Sequence, residues 1–297
     1  MRRFLKWVGI VLLVCLVLIL LAGASLYALS SRKLSRTYVV PPEAPLTISS
    51  DSATIARGAY LVSTLPCAEC HAEDLGGRVF ADAGPFGLLV GPNLTRGRGG
   101  RTPPLTDAEW ELAIRHGVRR GGTSLIVMPS EVFTHVSDAE MGPMIAYLKQ
   151  VPPVDREVPP TKLRIVGRLL LGAGQLPLAA DTTPKVAHAT SVDTTTGAAY
   201  GRYLVTISGC EGCHGASLSG APAFGPDMPP ASNITPTGIG KWTEADFLRA
   251  MRQGVRPDGS QIKEVMPWKA FGRRGDGELR SIWMYLQTVP AKAFQET

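Results

Sequence analysis

Cysteine is scarce in this chain, with five in 297 residues. Cys15 lies inside an apolar run and reads as an inert hydrophobic side chain. The other four form two Cys-x-x-Cys pairs, loops too tight and too reducible to serve as structural staples, which argues against a disulfide-built scaffold. Also missing is any segment that alternates apolar and polar residues well enough to be a strand, and with it the βαβ patterning a thioredoxin-like domain needs. Acidic residues are absent from the first 36 positions, which hold Arg2, Arg3, Lys6, Arg32, Lys33 and Arg36. These six account for the whole net charge of +6. No basic stripe remains elsewhere, so nucleic acid is not an expected partner.

What the chain has is a 22-residue uncharged run at 8–29, VGIVLLVCLVLILLAGASLYAL, flanked by those basic residues. It is long enough to cross a bilayer as a helix, with Trp7 and Tyr27 near its ends. Ala22-Gly23-Ala24 also fits a signal-peptide cleavage site, but the apolar run continues past it, which favours a retained anchor. Basic residues are equal on the two sides, so their count does not orient the segment. A long polar region behind such a segment is normally translocated, and the expected location is a single-pass anchor in the cytoplasmic membrane with the rest in the periplasmic or extracytoplasmic space.

The remainder repeats itself. RGAYLVSTLPCAECHAEDLGG (57–77) matches YGRYLVTISGCEGCHGASLSG (200–220), PNLT (92–95) matches SNIT (232–235), and LTDAEWELAIRHGV (105–118) matches WTEADFLRAMRQGV (242–255). VMPSEVF (127–133) answers VMPWKAF (265–271), and DAEMGPMIAYLKQVP (138–152) answers DGELRSIWMYLQTVP (276–290). Internal duplication at a nearly constant offset means one domain used twice. The expected layout is an anchor at 1–36, a linker at 37–51, a first domain at 52–153, an interdomain linker at 154–196 and a second domain at 197–292. Each copy is expected to be all-α. A first helix (56–64; 199–207) leads into the pentapeptide, a middle helix starts at an N-cap threonine, Thr106 or Thr243, and a last helix opens at Asp138 or Asp276. The proline-rich linker is expected to contain a short apolar helix over 163–171 packed on the domains, and a flexible Thr-rich tail.

Cys-x-x-Cys-His places two sulfurs and an imidazole on one side of a helix end. That spacing suits covalent attachment of haem through two thioethers, with the histidine as proximal iron ligand. Cys67, Cys70 and His71 would hold one haem, and Cys210, Cys213 and His214 the second. The competing reading is one shared all-cysteine zinc site, which C-x2-C…C-x2-C spacing also allows. Two copies that each keep a histidine favour two identical haem c sites. The duplication also points to a sixth ligand. Of eight methionines, Met128 and Met266 are the pair at matching positions, each followed by Pro (Pro129, Pro267) and, five positions on, by Phe (Phe133, Phe271). A stiff, extended Met-Pro segment suits holding a thioether at a fixed distance from a metal. His116, His135 and His188 have no histidine counterparts and read as surface residues.

With these motifs the chain resembles a tandem pair of class I c-type cytochromes, and more closely the cytochrome c subunits of membrane-associated alcohol, aldehyde and sugar-acid dehydrogenases. NITPTGIGKWTEADFLRAMRQGVRPDG, with MPW and MYLQTVP after it, carries most of the likeness. The resemblance implies that Gly58 with Tyr147, and Gly201 with Tyr285, mark where first and last helices cross. Copy one departs from it: TRGRGGRTPPLT stands where copy two has TPTGIGKWT, so Trp242 lacks a counterpart. Arg96, Arg98 and Arg101 are expected either to border that site, toward haem propionates or an acidic partner, or to form a solvated loop. The function implied is single-electron relay by a dihaem cytochrome working with dehydrogenase or other respiratory or photosynthetic complex subunits. The alternative is a dihaem peroxidase-like enzyme or haem sensor with one open iron. Cysteine-ligated dihaem enzymes are disfavoured, because no cysteine outside the apolar segment is spare.

Overall fold

The computed structural model describes residues 1–41, 44–100, 104–223 and 228–295. Helix α1 (Arg2–Ser35) has 34 residues. At ~1.5 Å per residue it runs to ~50 Å, more than the ~30 Å of a bilayer's hydrocarbon. Its apolar side chains are exposed along most of its length, and among the described residues it is the one helix long and apolar enough to cross a membrane.

The first repeat forms α2 (Ser52–Thr64), α3 (Cys67–His71), a hairpin of β1 (Arg78–Asp82) and β2 (Gly87–Gly91), then α4 (Asp107–His116), α5 (Ser130–Phe133) and α6 (Asp138–Leu148). The segment between the repeats contributes β3 (Lys162–Leu163), α7 (Ile165–Gly172) and α8 (Ala179–Thr182). The second repeat forms α9 (Ala198–Ile207), α10 (Cys210–His214), α11 (Pro236–Ile239), α12 (Glu244–Gln253), α13 (Trp268–Phe271) and α14 (Asp276–Thr288). Local signals explain the helix starts. Thr106 and Thr243 both close capping boxes, with Glu109 and Asp246 as the reciprocal partners. Gly117 and Gly254 end the same two helices in the left-handed conformation.

Each repeat is built on one crossing of its first and last helices, α2 on α6 and α9 on α14. A Cβ on Gly58 would lie 2.0 Å from Pro143 O and 2.8 Å from Tyr147 Cβ. On Gly201 it would lie 1.8 Å from Ser281 O and 2.9 Å from Tyr285 Cβ. Glycine is required there because the backbones touch, and the tyrosine fills the space beside them, as the resemblance implies. Leu61, Met141 and Ile145 in one crossing and Leu204, Leu279 and Leu286 in the other are almost fully buried.

Three expectations are corrected. The fold is helix-rich but not all-α, because β1, β2 and β3 form an antiparallel sheet in that order. The strands escape a periodicity reading because β2, GLLVG, is apolar throughout, and β3 is two residues supplied from 71 or more positions away. Among the described residues, copy two has an isolated bridge, Ala221 to Ala231, at the matching place. The short linker helix packs mainly on α1 rather than on the repeats. Finally, the Thr-rich linker tail is tied down: Asp138 N and Ala139 N donate to Ala189 O and Thr190 O. Those are orphan donors at the start of α6, and the linker supplies their acceptors. His116 and His188 are half-buried by the same segment, with ring centroids 5.7 Å apart.

The two repeats meet across a reciprocal polar interface. Tyr60 of the first donates to Glu278 of the second (2.6 Å), and Tyr203, its counterpart, donates to Glu140 (2.5 Å). Each tyrosine oxygen also accepts a backbone N–H from the cap of the opposite last helix: Gly275 N to Tyr60 at 2.9 Å and Ser137 N to Tyr203 at 3.1 Å. Arg57 lies between the carboxylates, 2.5 Å from Glu140 and 3.9 Å from Glu278. This is the self-complementary pattern of a two-fold contact, built within one chain.

Candidate functional site

In both repeats the first helix stops a few residues before the pentapeptide. Leu65 and Pro66 interrupt copy one, and Gly209, at φ 69°, turns copy two. The chain then restarts as the single-turn helices α3 and α10, which put Cys67 with Cys70, and Cys210 with Cys213, three apart on one helix face. After each histidine the backbone enters the left-handed region twice, at Ala72 and Leu75 and at Gly215 and Leu218. A leucine held there is strained. Burial of Leu75 and Leu218 at 3% and 2% exposure retains it. The resulting tight turn lets Gly77 N and Gly220 N donate to the carbonyls of His71 and His214, both at 2.8 Å.

The histidines are oriented by backbone carbonyls. His71 Nδ1 is 2.9 Å from Pro92 O, and His214 Nδ1 is 2.7 Å from Ser232 O. A carbonyl only accepts, so Nδ1 carries the proton and Nε2 is left as the nitrogen with a lone pair for a metal. Burial lowers the His214 pKa, and the Ser232 contact opposes that shift. The ring stays neutral at pH 7, as a ligand must.

Each of these carbonyls precedes an asparagine that the motif reading left without a role. Asn93 Oδ1 accepts from Thr95 N and Oγ1 at 2.9 and 2.8 Å, while its Nδ2 donates to Val154 O at 2.7 Å. Asn233 repeats this with Thr235 (2.9 and 2.7 Å) and Lys292 O (2.8 Å). The Asn-x-Thr loop therefore clamps the carbonyl to the chain that follows the last helix. The signal was visible as PNLT against SNIT, but its purpose needed the fold.

In copy two, Cys210, Cys213, His214 and Met266 line one cavity of about 560 Å³. That volume lies inside the ~300–1,000 Å³ typical of cofactor sites. Its walls include Val205, Ile239, Trp242, Phe247, Met251, Phe271, Ile282 and Leu286. Met228 also faces it and is 39% exposed. Two thiols, a neutral imidazole and a thioether around an apolar slot fit a covalently held haem. In copy one, Cys67 and Met128 pack against the hydrophobic core and His71 is buried. Burial pushes the Cys67 and Cys210 thiols up to about 12, so both are neutral. Among the described residues no three His, Cys, Asp or Glu converge as a metal site. The four cysteines do not gather into the zinc site that the spacing left open.

Residues 55–152 match the cytochrome c family. Over that stretch, the first repeat, the chain is similar to a cytochrome c domain. A cytochrome c domain implies covalently bound haem c, used for electron transport. Over 276 residues the chain is 28% identical to the fructose dehydrogenase cytochrome subunit of Gluconobacter japonicus, covering 85% of this chain and 56% of that protein. It is 28% identical over 279 residues to the cytochrome c subunit of the quinone alcohol dehydrogenase of Gluconacetobacter polyoxogenes, covering 82% and 58%. A diheme cytochrome c-type protein of Cereibacter sphaeroides is 29% identical over 313 residues, covering 93% and 97%. The chain thus spans little more than half the length of the dehydrogenase subunits it matches.

Of the arginines singled out in copy one, Arg96 and Arg98 are exposed and Arg101 lies outside the described residues. Arg98 faces the linker: its backbone N–H donates to Asp155 at 2.8 Å, and its guanidinium is 4.0 Å from Glu157.

Proposed function

We propose that this chain is a membrane-anchored dihaem cytochrome c that relays single electrons on the periplasmic side, as the cytochrome subunit of a membrane dehydrogenase. Two tandem class I domains, 52–153 and 197–292, hold one haem each. Cys67 and Cys70, and Cys210 and Cys213, would supply the thioether sulfurs, and His71 with Met128, and His214 with Met266, would be the iron ligands of the two sites. When bound, haem c supplies reversible one-electron exchange, and thioether ligation raises its potential relative to a bis-histidine site.

The residues supply the rest. The Pro92 and Ser232 carbonyls, held by Asn93 and Asn233, fix the imidazole tautomer. The apolar cavity wall excludes water from the metal's surroundings. The Tyr60–Glu278 and Tyr203–Glu140 contacts hold the two sites at one separation. The observation that carries this reading is the convergence of Cys210, Cys213, His214 and Met266 on one cavity, with the same pentapeptide and the same histidine tie in copy one. The dehydrogenase partner is supported by the names of the relatives, which are subunits of fructose and alcohol dehydrogenases.

The test is the holoprotein's haem stoichiometry and its spectrum under carbon monoxide. Two haems per chain and a reduced spectrum unchanged by carbon monoxide are expected. One haem per chain overturns the tandem assignment. Carbon monoxide binding at one iron overturns that site's methionine and favours the peroxidase-like or sensor reading. A colourless protein overturns the whole proposal.

A further inference from the structure

Helix α7 has two sides of different character. Gly167 faces the hairpin tip, where an added Cβ would meet Phe86 O at 2.1 Å, and Gly172 faces α1, where it would meet Leu26 O at 2.1 Å. Arg168 reaches α1 on the same side, its Nε donating to Ser30 Oγ at 2.6 Å and its guanidinium lying 4.3 Å from the centre of the Tyr27 ring. Lys33 Nζ donates to Leu171 O at 2.8 Å. At 100° per residue, the opposite face of α7 presents Ile165, Val166, Leu169 and Leu170, with no polar side chain among them. Ile165 is 57% exposed, and Phe86, on the adjoining hairpin tip, is 49% exposed.

The crossing point decides what covers this face. α7 meets α1 at Leu26–Lys33, where the uncharged run of 8–29 gives way to Ser30, Ser31, Arg32 and Lys33. In a helix that spans a bilayer, that is the level of the headgroups, and Tyr27 has the position of an interfacial aromatic. The apolar face of α7, exposed at Ile165 and half-buried at Val166, Leu169 and Leu170, therefore continues the apolar surface of α1 sideways at the depth where amphipathic helices lie. Arg32, Lys33 and Arg36 follow the apolar run on α1, and Lys162 and Arg164 directly precede α7. Arg36 pairs with Asp181 and Arg164 with Asp82, and the cations at that level are attracted to anionic lipid.

We propose that α7 and the tip of the β1–β2 hairpin rest in the headgroup layer beside α1, a second membrane contact that fixes the tilt of the first cytochrome c domain over an anionic bilayer. The contact rests on α1 spanning the bilayer and is independent of haem number or redox partner.

The full-length holoprotein with Cys15→Ala, carrying one introduced cysteine for a spin label at Ile165, Leu169, Leu18 or Lys241, tests it in phosphatidylcholine–phosphatidylglycerol vesicles. Relaxation by dissolved oxygen is compared with relaxation by a water-soluble nickel chelate. Labels at 165 and 169 are expected to favour oxygen several-fold over the label at 241, approaching the label at 18. If 18 favours oxygen while 165 and 169 behave like 241, the anchor stands and the proposed contact is overturned. If 18 also behaves like 241, both fail. Unchanged haem content in each variant excludes misfolding as the cause.

Discussion

Tyr203→Phe is the sharpest test of how the two repeats are held together. The change keeps the ring and removes one oxygen, which donates to Glu140 at 2.5 Å and accepts from Ser137 N at 3.1 Å. The Glu140 side chain is 6% exposed and Ser137 is fully buried, so water replaces neither contact. Losing a hydrogen bond to a charged group costs about 1.5–3 kcal/mol, and an orphaned buried donor a further 1–3 kcal/mol. Arg57 still holds Glu140, which keeps the total toward the lower part of that range, about 3 kcal/mol. The counterpart Tyr60→Phe should cost only about 1.5 kcal/mol, the bottom of the range for a hydrogen bond to a charged group. Its N–H partner Gly275 is exposed, and Glu278 keeps Tyr200 at 3.1 Å. Urea unfolding of the detergent-solubilised holoprotein, followed by far-UV circular dichroism, measures both. A double-mutant cycle with Glu140→Gln should return a coupling above about 1 kcal/mol for Tyr203. Equal losses for the two tyrosines, or a Tyr203→Phe loss below about 0.5 kcal/mol, would refute the reciprocal interface as drawn.

Gly201→Ala should abolish accumulation of folded protein or lower its stability by more than the ~1–3 kcal/mol of ordinary overpacking, because the new methyl meets a backbone carbonyl. Gly212→Ala, whose Cβ meets nothing within 4 Å, should be neutral by thermal melting. Arg115 is 1% exposed and ties α4 to Asp138 at 2.7 Å. Arg115→Ala should cost about 3–5 kcal/mol in urea unfolding. Lys269→Ala, which breaks a pair between exposed Lys269 and Glu264, should cost under about 1 kcal/mol in the same assay. Glu109 is held down to about 2 by the Arg120 guanidinium first, then by the Thr106 backbone N–H. A depressed carboxyl stabilises the folded state above its unfolded value of 4.5, and the effect is lost as pH falls toward 2. The melting temperature of Glu109→Gln should therefore fall less steeply than wild type between those limits.

Much of this protein was determined locally, and local features are what a sequence displays. The apolar run of α1, the two pentapeptides and the capping threonines Thr106 and Thr243 act through neighbours within a turn or through strict repetition, so they were legible without coordinates. The helix-crossing glycines Gly58 and Gly201, whose partners lie far along the chain, were read only through the family resemblance. Duplication did more, since it separated Met128 and Met266 from the other methionines and flagged the Asn-x-Thr loops. Tertiary structure decided the features whose partners lie far along the chain. β3 exists only because Lys162–Leu163 reaches β2, and a two-residue strand has no period to detect. Asn93 clamps a carbonyl only once Val154 returns to it. Tyr60 and Glu278 are 218 positions apart, and nothing in either local segment announces the other. The apolar linker helix was visible as a helix, but which side stays open depended on where Gly167 and Gly172 let other backbones approach.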